Sequence, residues 1–262
     1  MTGAATVGTP ATRWGRSRLR RANVAVGLVH LAQAALVLVL ANGFAIPVTA
    51  AFMDGPPGTD PGPSTTLFEA PFAPLVALFL LLAAADHLLM AAPRVVDWYE
   101  RNLARGRNDA RWTEYSASAS VMIGLIALLT GITDVFALIA ILGVNVAMIL
   151  FGELMERFNA GRRDVRWAPF TFGCIAGAVP WIAITVAIAG SEAGSGSVPG
   201  FVYGIFVSLF LLFNCFAVNQ ALQFRAVGPW RDPRFAEGVY IWLSLIAKSA
   251  LAWQVFAGAL AA

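Results

Sequence analysis

The amino-acid sequence predicts an all-α membrane protein built on seven transmembrane helices, and three observations carry that prediction. Of its 262 residues 58% are hydrophobic and only 13% charged, against about 25% charged in a typical water-soluble domain; mean hydropathy is +0.71. Seven separate stretches reach the roughly 20 mostly apolar residues that a helix needs to cross a bilayer. The basic residues fall almost entirely on alternate connections between those stretches. Together these exclude most soluble enzyme folds and any disordered or collagen-like chain. A net charge of +3 in so apolar a sequence reports membrane topology rather than nucleic-acid binding. Cys174 and Cys215 lie inside apolar stretches, where a free thiol packs as a small hydrophobe. There is no disulfide framework and no metal-ligand spacing.

The predicted spans cover residues 24–46, 72–92, 111–132, 135–158, 169–190, 200–224 and 235–261, and the whole chain, 1–262, reads as one membrane domain. Five arginines, from Arg13 to Arg21, precede the first span. Its apolar run nevertheless exceeds the roughly 7–15 residues of a signal-peptide core, so it is a retained helix behind a leader of residues 1–21. Further arginines sit at 94–111, 157–166 and 225–234, and these with the leader hold 17 of the 18 basic residues. The other three connections hold none. By the positive-inside rule this places a multi-pass protein in the cell membrane with its N-terminus cytoplasmic and its C-terminus outside. The first outer loop, 47–71, carries turn formers from Asp54 to Pro63 between the strand-like strings VTAAFM and STTLFE. Its own residues fit a small β-hairpin or a mobile loop. No inverted repeat of the kind found in many transporters is visible.

The eighteenth basic residue is Lys248, the only lysine, near the middle of the last span. It lies about 20 Å of helix from either end, too far to reach water along its own side chain. A cation there costs at least about 2.5–3.5 kcal/mol, so it is functional or it bridges helices. A desolvated lysine has a nucleophilic amine suited to forming a Schiff base with an aldehyde. The third span supplies an anion, Glu114, at a depth that differs from that of Lys248 by about 8 Å of helix rise. Glu114 either partners Lys248 or pairs at the interface with Arg111, three residues before it. Other polar residues interrupt apolar spans: His30 and Gln33 share a face of the first, Asp86 and His87 break the second, Ser118 lies one turn above Glu114, and Ser244 one turn before Lys248. They line a proton-handling cavity or serve as hydrogen-bonded packing.

Seven helices with one lysine in the middle of the last, facing a carboxylate on the third, resemble the microbial rhodopsins, and the inward N-terminus points among them to the heliorhodopsins. RWTEYSASAS is similar to that family's third-helix motif and SLIAKSALAWQ to its seventh-helix motif. The resemblance implies a rhodopsin-like seven-helix bundle, a β-hairpin in the first outer loop, all-trans-retinal attached at Lys248, and Glu114 as its counterion. It also implies that His30 and His87 belong to an inner polar cavity, that Ser118 and Ser244 are hydroxyls near the Schiff base, and that Asn145, Met148, Trp181, Phe213 and Gln220 belong to the retinal pocket. The partners implied are retinal, membrane lipid, a second copy of the chain in a homodimer, and an unidentified cytoplasmic signalling protein.

The residues separate a light sensor from a light-driven pump. A pump of the ordinary type carries a second carboxylate eleven residues after the counterion, where this chain has Leu125, and an aspartate one turn before the lysine, where it has Ser244. The reading is a photoreceptor, not an enzyme, in which the Schiff-base proton passes into an internal polar cavity without net transport. The alternatives are a light-driven ion pump or channel, and a retinal-free membrane transporter in which Lys248 and Glu114 form a plain ion pair. With no other lysine to form the linkage, Lys248→Ala is expected to give a folded but colourless protein in retinal-supplemented cells, checked by its visible absorption spectrum.

Overall fold

The computed structural model describes residues 14–162, 164–194 and 196–261. Eight α-helices occur among them: α1 (Arg16–Leu40), α2 (Phe72–Ala91), α3 (Val96–Leu103), α4 (Asp109–Leu129), α5 (Val135–Asn159), α6 (Ala168–Ala193), α7 (Gly200–Phe224) and α8 (Pro233–Val255), the last continued by one π-helical turn to Leu260. All but α3 are long and apolar enough to cross a membrane, so the seven predicted spans are present. Their connections alternate between two ends. One end carries the arginine-rich segments; the other carries a β-hairpin and the arginine-free loops.

Helix starts are set by side chains that satisfy orphan backbone N–H groups. Asn108 accepts from the Arg111 N–H at the head of α4 (3.2 Å), and Asp134 from Ala137 at the head of α5 (2.9 Å). Asp232 does the same for α8, where Pro233 occupies a position whose own N–H is not needed. The short α3 lies within the connection between the second and third spans and has no counterpart among the predicted elements. It is amphipathic, burying Val96, Tyr99 and Leu103 on one face, a spacing too brief to stand out beside the apolar spans.

The connection between α1 and α2 is a hairpin. Strand β1 (Ala45–Ala50) pairs antiparallel with β2 (Thr65–Pro71), Ala45 opposite Pro71 and Ala50 opposite Thr65, with a bulge between Val48 and Thr49. The first strand begins about three residues before the strand-like string VTAAFM, and α1 correspondingly stops at Leu40 rather than 46. The cause is the pairing with β2: Ala45 and Ile46 lie opposite Pro71 and Ala70, and the Phe72 N–H donates to the Phe44 carbonyl (3.1 Å). The Thr49 N–H donates to the Thr133 carbonyl (2.9 Å), and the two threonine hydroxyls lie 3.3 Å apart, which pins β1 to the α4–α5 turn. Val48, Ala50 and Ala70 turn into the core, while Phe52 and Met53 fall in the exposed turn.

Packing divides the bundle lengthwise. At the hairpin end Val37, Val76, Phe79, Ile123, Leu125, Ile126, Leu251 and Val255 belong to one apolar core. At the arginine-rich end a smaller cluster joins Trp14, Leu19, Val26, Tyr99 and Ile241. Helix α4 is the most enclosed of the seven spans and α7 the least, so α4 presents its side chains inward over most of its length. Polar residues fit on such a helix only where the bundle supplies them with partners.

Candidate functional site

The central feature is an ion pair between the helices that the sequence singled out. Lys248 Nζ on α8 lies 3.1 Å from Glu114 Oε1 and 3.2 Å from Oε2 on α4, with the two residues only 3% and 9% exposed. Nζ also donates to Ser244 Oγ one turn earlier (3.2 Å) and lies 4.9 Å from the centre of the Tyr115 ring. At about 4 Å in a medium of effective dielectric near 20, such a pair is worth about 4 kcal/mol. That attraction offsets much of the cost of placing a cation at this depth. Arg111, the alternative partner of Glu114, turns away and pairs instead with Glu156 and Glu237.

Beside the pair is a cavity of about 320 Å³, within the roughly 300–1,000 Å³ typical of small-molecule sites. Lys248, Ser244, Ser118 and Tyr115 form part of its wall, and α5, α6 and α7 close it with Met148, Gly177, Trp181, Phe213, Phe216 and Gln220. The Trp181 ring meets Phe206, Phe210 and Phe213 edge-on at centroid distances of 5.9, 5.3 and 5.7 Å. Gly177 lets the Met148 side chain lie close against α6: a Cβ there would meet the Met148 sulfur and force that side chain to move. The Ser118 hydroxyl is fully buried and has no protein partner. A primary amine, an orphaned hydroxyl and an aromatic wall around an apolar space fit a long apolar aldehyde. Gln220 donates to the Gly152 carbonyl across the cavity edge (2.9 Å). Asn145 stands behind this wall, donating to Ser120 Oγ (3.1 Å).

The polar residues of α1 and α2 gather on the arginine-rich side of the pair. His87 contacts Ser244 Oγ through Nε2 (3.5 Å) and Asn23 Oδ1 through Nδ1 (2.7 Å). His30 stacks on His87 with centroids 5.9 Å apart, and neither of its ring nitrogens has a protein partner. Asp86 borders a void of about 10 Å³ together with Asn23, His87, Arg111 and Glu237. Gln33 turns elsewhere, exchanging hydrogen bonds with Ser249 on α8.

Sequence reasoning missed a second buried polar centre. Arg111 contacts both Glu156 on α5 and Glu237 on α8, and its guanidinium lies 3.9 Å from the centre of the Tyr240 ring. Asn108 donates from its backbone to Glu156 Oε2 and from its side chain to Glu237 Oε1, both at 2.9 Å, and the Tyr99 hydroxyl donates to Glu237 Oε1 at the same distance. Burial pushes the Tyr99 phenol well above its ordinary range, so it stays a donor. One signal was available: Glu237 precedes Lys248 by eleven residues, three helical turns, and so shares its face. Removing the shared cation strands two buried carboxylates, a change that costs about 3–5 kcal/mol. Arg111→Gln is therefore expected to lower the melting temperature in detergent well below that of Arg107→Gln, whose part-exposed ion pair with Asp109 is worth about 1 kcal/mol or less.

A family model described as heliorhodopsin matches residues 19–260. No curated protein matches the chain in sequence. Among solved structures it is similar to Exiguobacterium sibiricum rhodopsin (14% identity, TM-score 0.66, covering 93% of this chain and 95% of that one). It is likewise similar to a light-driven proton pump from Leptosphaeria maculans (15%, 0.63, 91% and 94%) and to the light-driven proton pump rhodopsin of Coccomyxa subellipsoidea (18%, 0.62, 90% and 96%). These likenesses show the fold.

Proposed function

The chain belongs to the heliorhodopsin family, retinal-binding membrane proteins that respond to light, and on that premise we propose that it is a light sensor that moves a proton internally and transports no ion. The observation that carries this reading is the buried Lys248–Glu114 pair beside an apolar, aromatic-walled cavity. Lys248 is the attachment residue and Glu114 the counterion. Ser118 and Ser244 are the hydroxyls near the linkage, and Met148, Trp181, Phe213 and Gln220, with Asn145 behind them, shape the pocket for the all-trans isomer. Retinal, when bound, supplies a polyene that absorbs visible light and changes shape on doing so.

The chain's own residues then manage one proton. Glu114 holds it on the Lys248 nitrogen by stabilising the cation. Ser244 accepts from that nitrogen, and His87 stands next in line behind Ser244. The exit therefore leads toward the polar side, with His30, His87 and Asp86 around it. Toward the hairpin end the hydrogen-bonded pairs Gln33–Ser249 and Ser208–Gln254 are only half-buried, and neither is hydrogen-bonded to the Lys248 nitrogen. Among the described residues, Thr130 is the one buried polar side chain beyond the level of Ser120 and Asn145 on that side, and Leu125, where a pump would carry a carboxylate, is 1% exposed within the apolar core. This asymmetry supports sensing over transport. The reading includes a homodimer, a cytoplasmic arginine-rich end contacting a signalling partner, a C-terminus outside the cell, and no enzymatic activity.

The test is illumination of retinal-supplemented cells expressing the protein. Visible pigment is expected, with no light-induced pH change in the suspension that a protonophore abolishes. A protonophore-sensitive pH change, or a sustained photocurrent, would establish a transporter instead.

A further inference from the structure

The Arg111–Glu156–Glu237 cluster has no part in the reading above, yet it is joined to the Lys248 nitrogen by an unbroken run of hydrogen bonds. Lys248 Nζ meets Ser244 Oγ at 3.2 Å, Ser244 Oγ meets His87 Nε2 at 3.5 Å, His87 Nδ1 meets Asn23 Oδ1 at 2.7 Å, Asn23 Nδ2 meets the Tyr99 hydroxyl at 3.4 Å, and that hydroxyl meets Glu237 Oε1 at 2.9 Å. We propose that Tyr99 and Asn23 couple the protonation state of the Lys248 nitrogen to this cluster, making it the point at which the light reaction reaches the arginine-rich end of the bundle. The inference rests on the light-sensing reading and extends it to residues that touch neither the 320 Å³ cavity nor the lysine.

Donor capacities fix the direction of every link. The Lys248 nitrogen, when protonated, only donates and a carboxylate only accepts, so both ends are set. The middle is set independently. Asn23 Nδ2 also donates to the Leu19 carbonyl (3.1 Å), which orients the amide and leaves Oδ1 to accept. His87 must then donate from Nδ1, and in its neutral form it accepts at Nε2 from Ser244. All five bonds thus point from the cation at Lys248 to the anion at Glu237. In a low-dielectric interior such aligned bonds polarise one another, so losing charge at one end weakens donation at the other.

The chain also says where a proton stops. As Ser244 Oγ takes a proton from the Lys248 nitrogen, its own hydrogen passes to His87 Nε2, a net transfer of one proton that needs no co-reactant. Asn23 is an amide and relays no proton, so beyond His87 only a change of charge and bond strength travels. The receiving cluster is poised to register it. Five donors, from Tyr99, Asn108 and Arg111, serve the four oxygens of two carboxylates that share one guanidinium. The cluster ties α3, α4, α5 and α8 together. Altering the Tyr99 contribution shifts how Arg111 divides between Glu237 on α8 and Glu156 on α5, which changes how those helices are held.

Light-minus-dark infrared spectroscopy of the full-length pigment in lipid nanodiscs tests this. The wild type is expected to show a carboxylate band that disappears in Glu237→Gln, a variant that leaves Arg111 and Glu156 as a balanced pair. In Tyr99→Phe, which removes one hydroxyl and keeps the ring, the dark absorption maximum should be unchanged and the band lost or reduced several-fold. A merely structural Tyr99 would alter the melting temperature and leave the band in place. An undiminished band in a photoactive Tyr99→Phe protein, or a photoactive wild type without any Glu237-dependent band, overturns the coupling while the sensor reading stands. A wild type that forms no pigment with added retinal overturns both.

Discussion

A cation held near the middle of a bilayer sets the terms for the rest of this molecule. Lys248 is 3% exposed, and without an anion within reach its desolvation would be uncompensated. Glu114 meets that demand from the neighbouring side of the bundle, so α4 and α8 must face each other at this level and both must be enclosed. Helix α4 is accordingly the most buried of the spans. The remaining space is shaped around the pair, with apolar side chains of α5, α6 and α7 forming the cavity wall and polar side chains of α1 and α2 supporting the opposite side.

Polarity is distributed unequally along the bundle axis, and this bears more directly on function than the fold does. Rhodopsins of similar architecture include light-driven pumps at 15% and 18% identity, so the seven-helix frame alone does not choose between sensing and transport. Here His30, His87, Asn23, Arg111, Glu156 and Glu237 are all buried on the arginine-rich side of Lys248, while Leu125, Ile126 and Leu251 close the hairpin side. A hydrogen-bonded run of buried side chains leads from the lysine nitrogen in one direction, whereas on the other the polar side chains, such as Ser120, Asn145 and Thr130, form no such run from it. Buried ion pairs contribute little net stability compared with apolar packing. Two of them between the same pair of helices, Glu114 with Lys248 and Arg111 with Glu237, instead set which residues of α4 and α8 face each other.

The spans were legible in the sequence because about 20 apolar residues in a row have few other uses. Lys248 and Glu114 were legible for the complementary reason: a charge inside such a run is costly enough to need a purpose. Structure that depends on contacts distant in sequence was harder to read. The start of β1 is set by its pairing with Pro71 and Ala70 of β2 and its far end is held by Thr133, more than eighty residues from Thr49, and no local pattern announces either. Helix α3 is too short for its periodicity to compete with the spans beside it. Arg111, three residues from Glu114, is its nearest basic residue in sequence, whereas the partners it takes, Glu156 and Glu237, come from other helices. The polar side chains of α1 and α2 were visible as interruptions, but only the fold separates His87, which joins the hydrogen-bonded run from Lys248, from Gln33, which turns to Ser249.

The central claim is that Glu114 is the anion that holds the proton on the Lys248 nitrogen. With retinal bound, a carboxylate beside that nitrogen would stabilise a positive charge localised there more than one spread along the polyene, and so would favour the ground state over the excited state. Removing it narrows the optical gap, or releases the proton altogether if the cation no longer persists at neutral pH. The direct measurement is the absorption spectrum of the retinal-loaded Glu114→Gln protein at neutral pH. The account predicts a shift to the red or a move into the near ultraviolet. A spectrum indistinguishable from that of the unaltered protein would contradict it and pass the counterion role to another carboxylate, with Asp86 first in line.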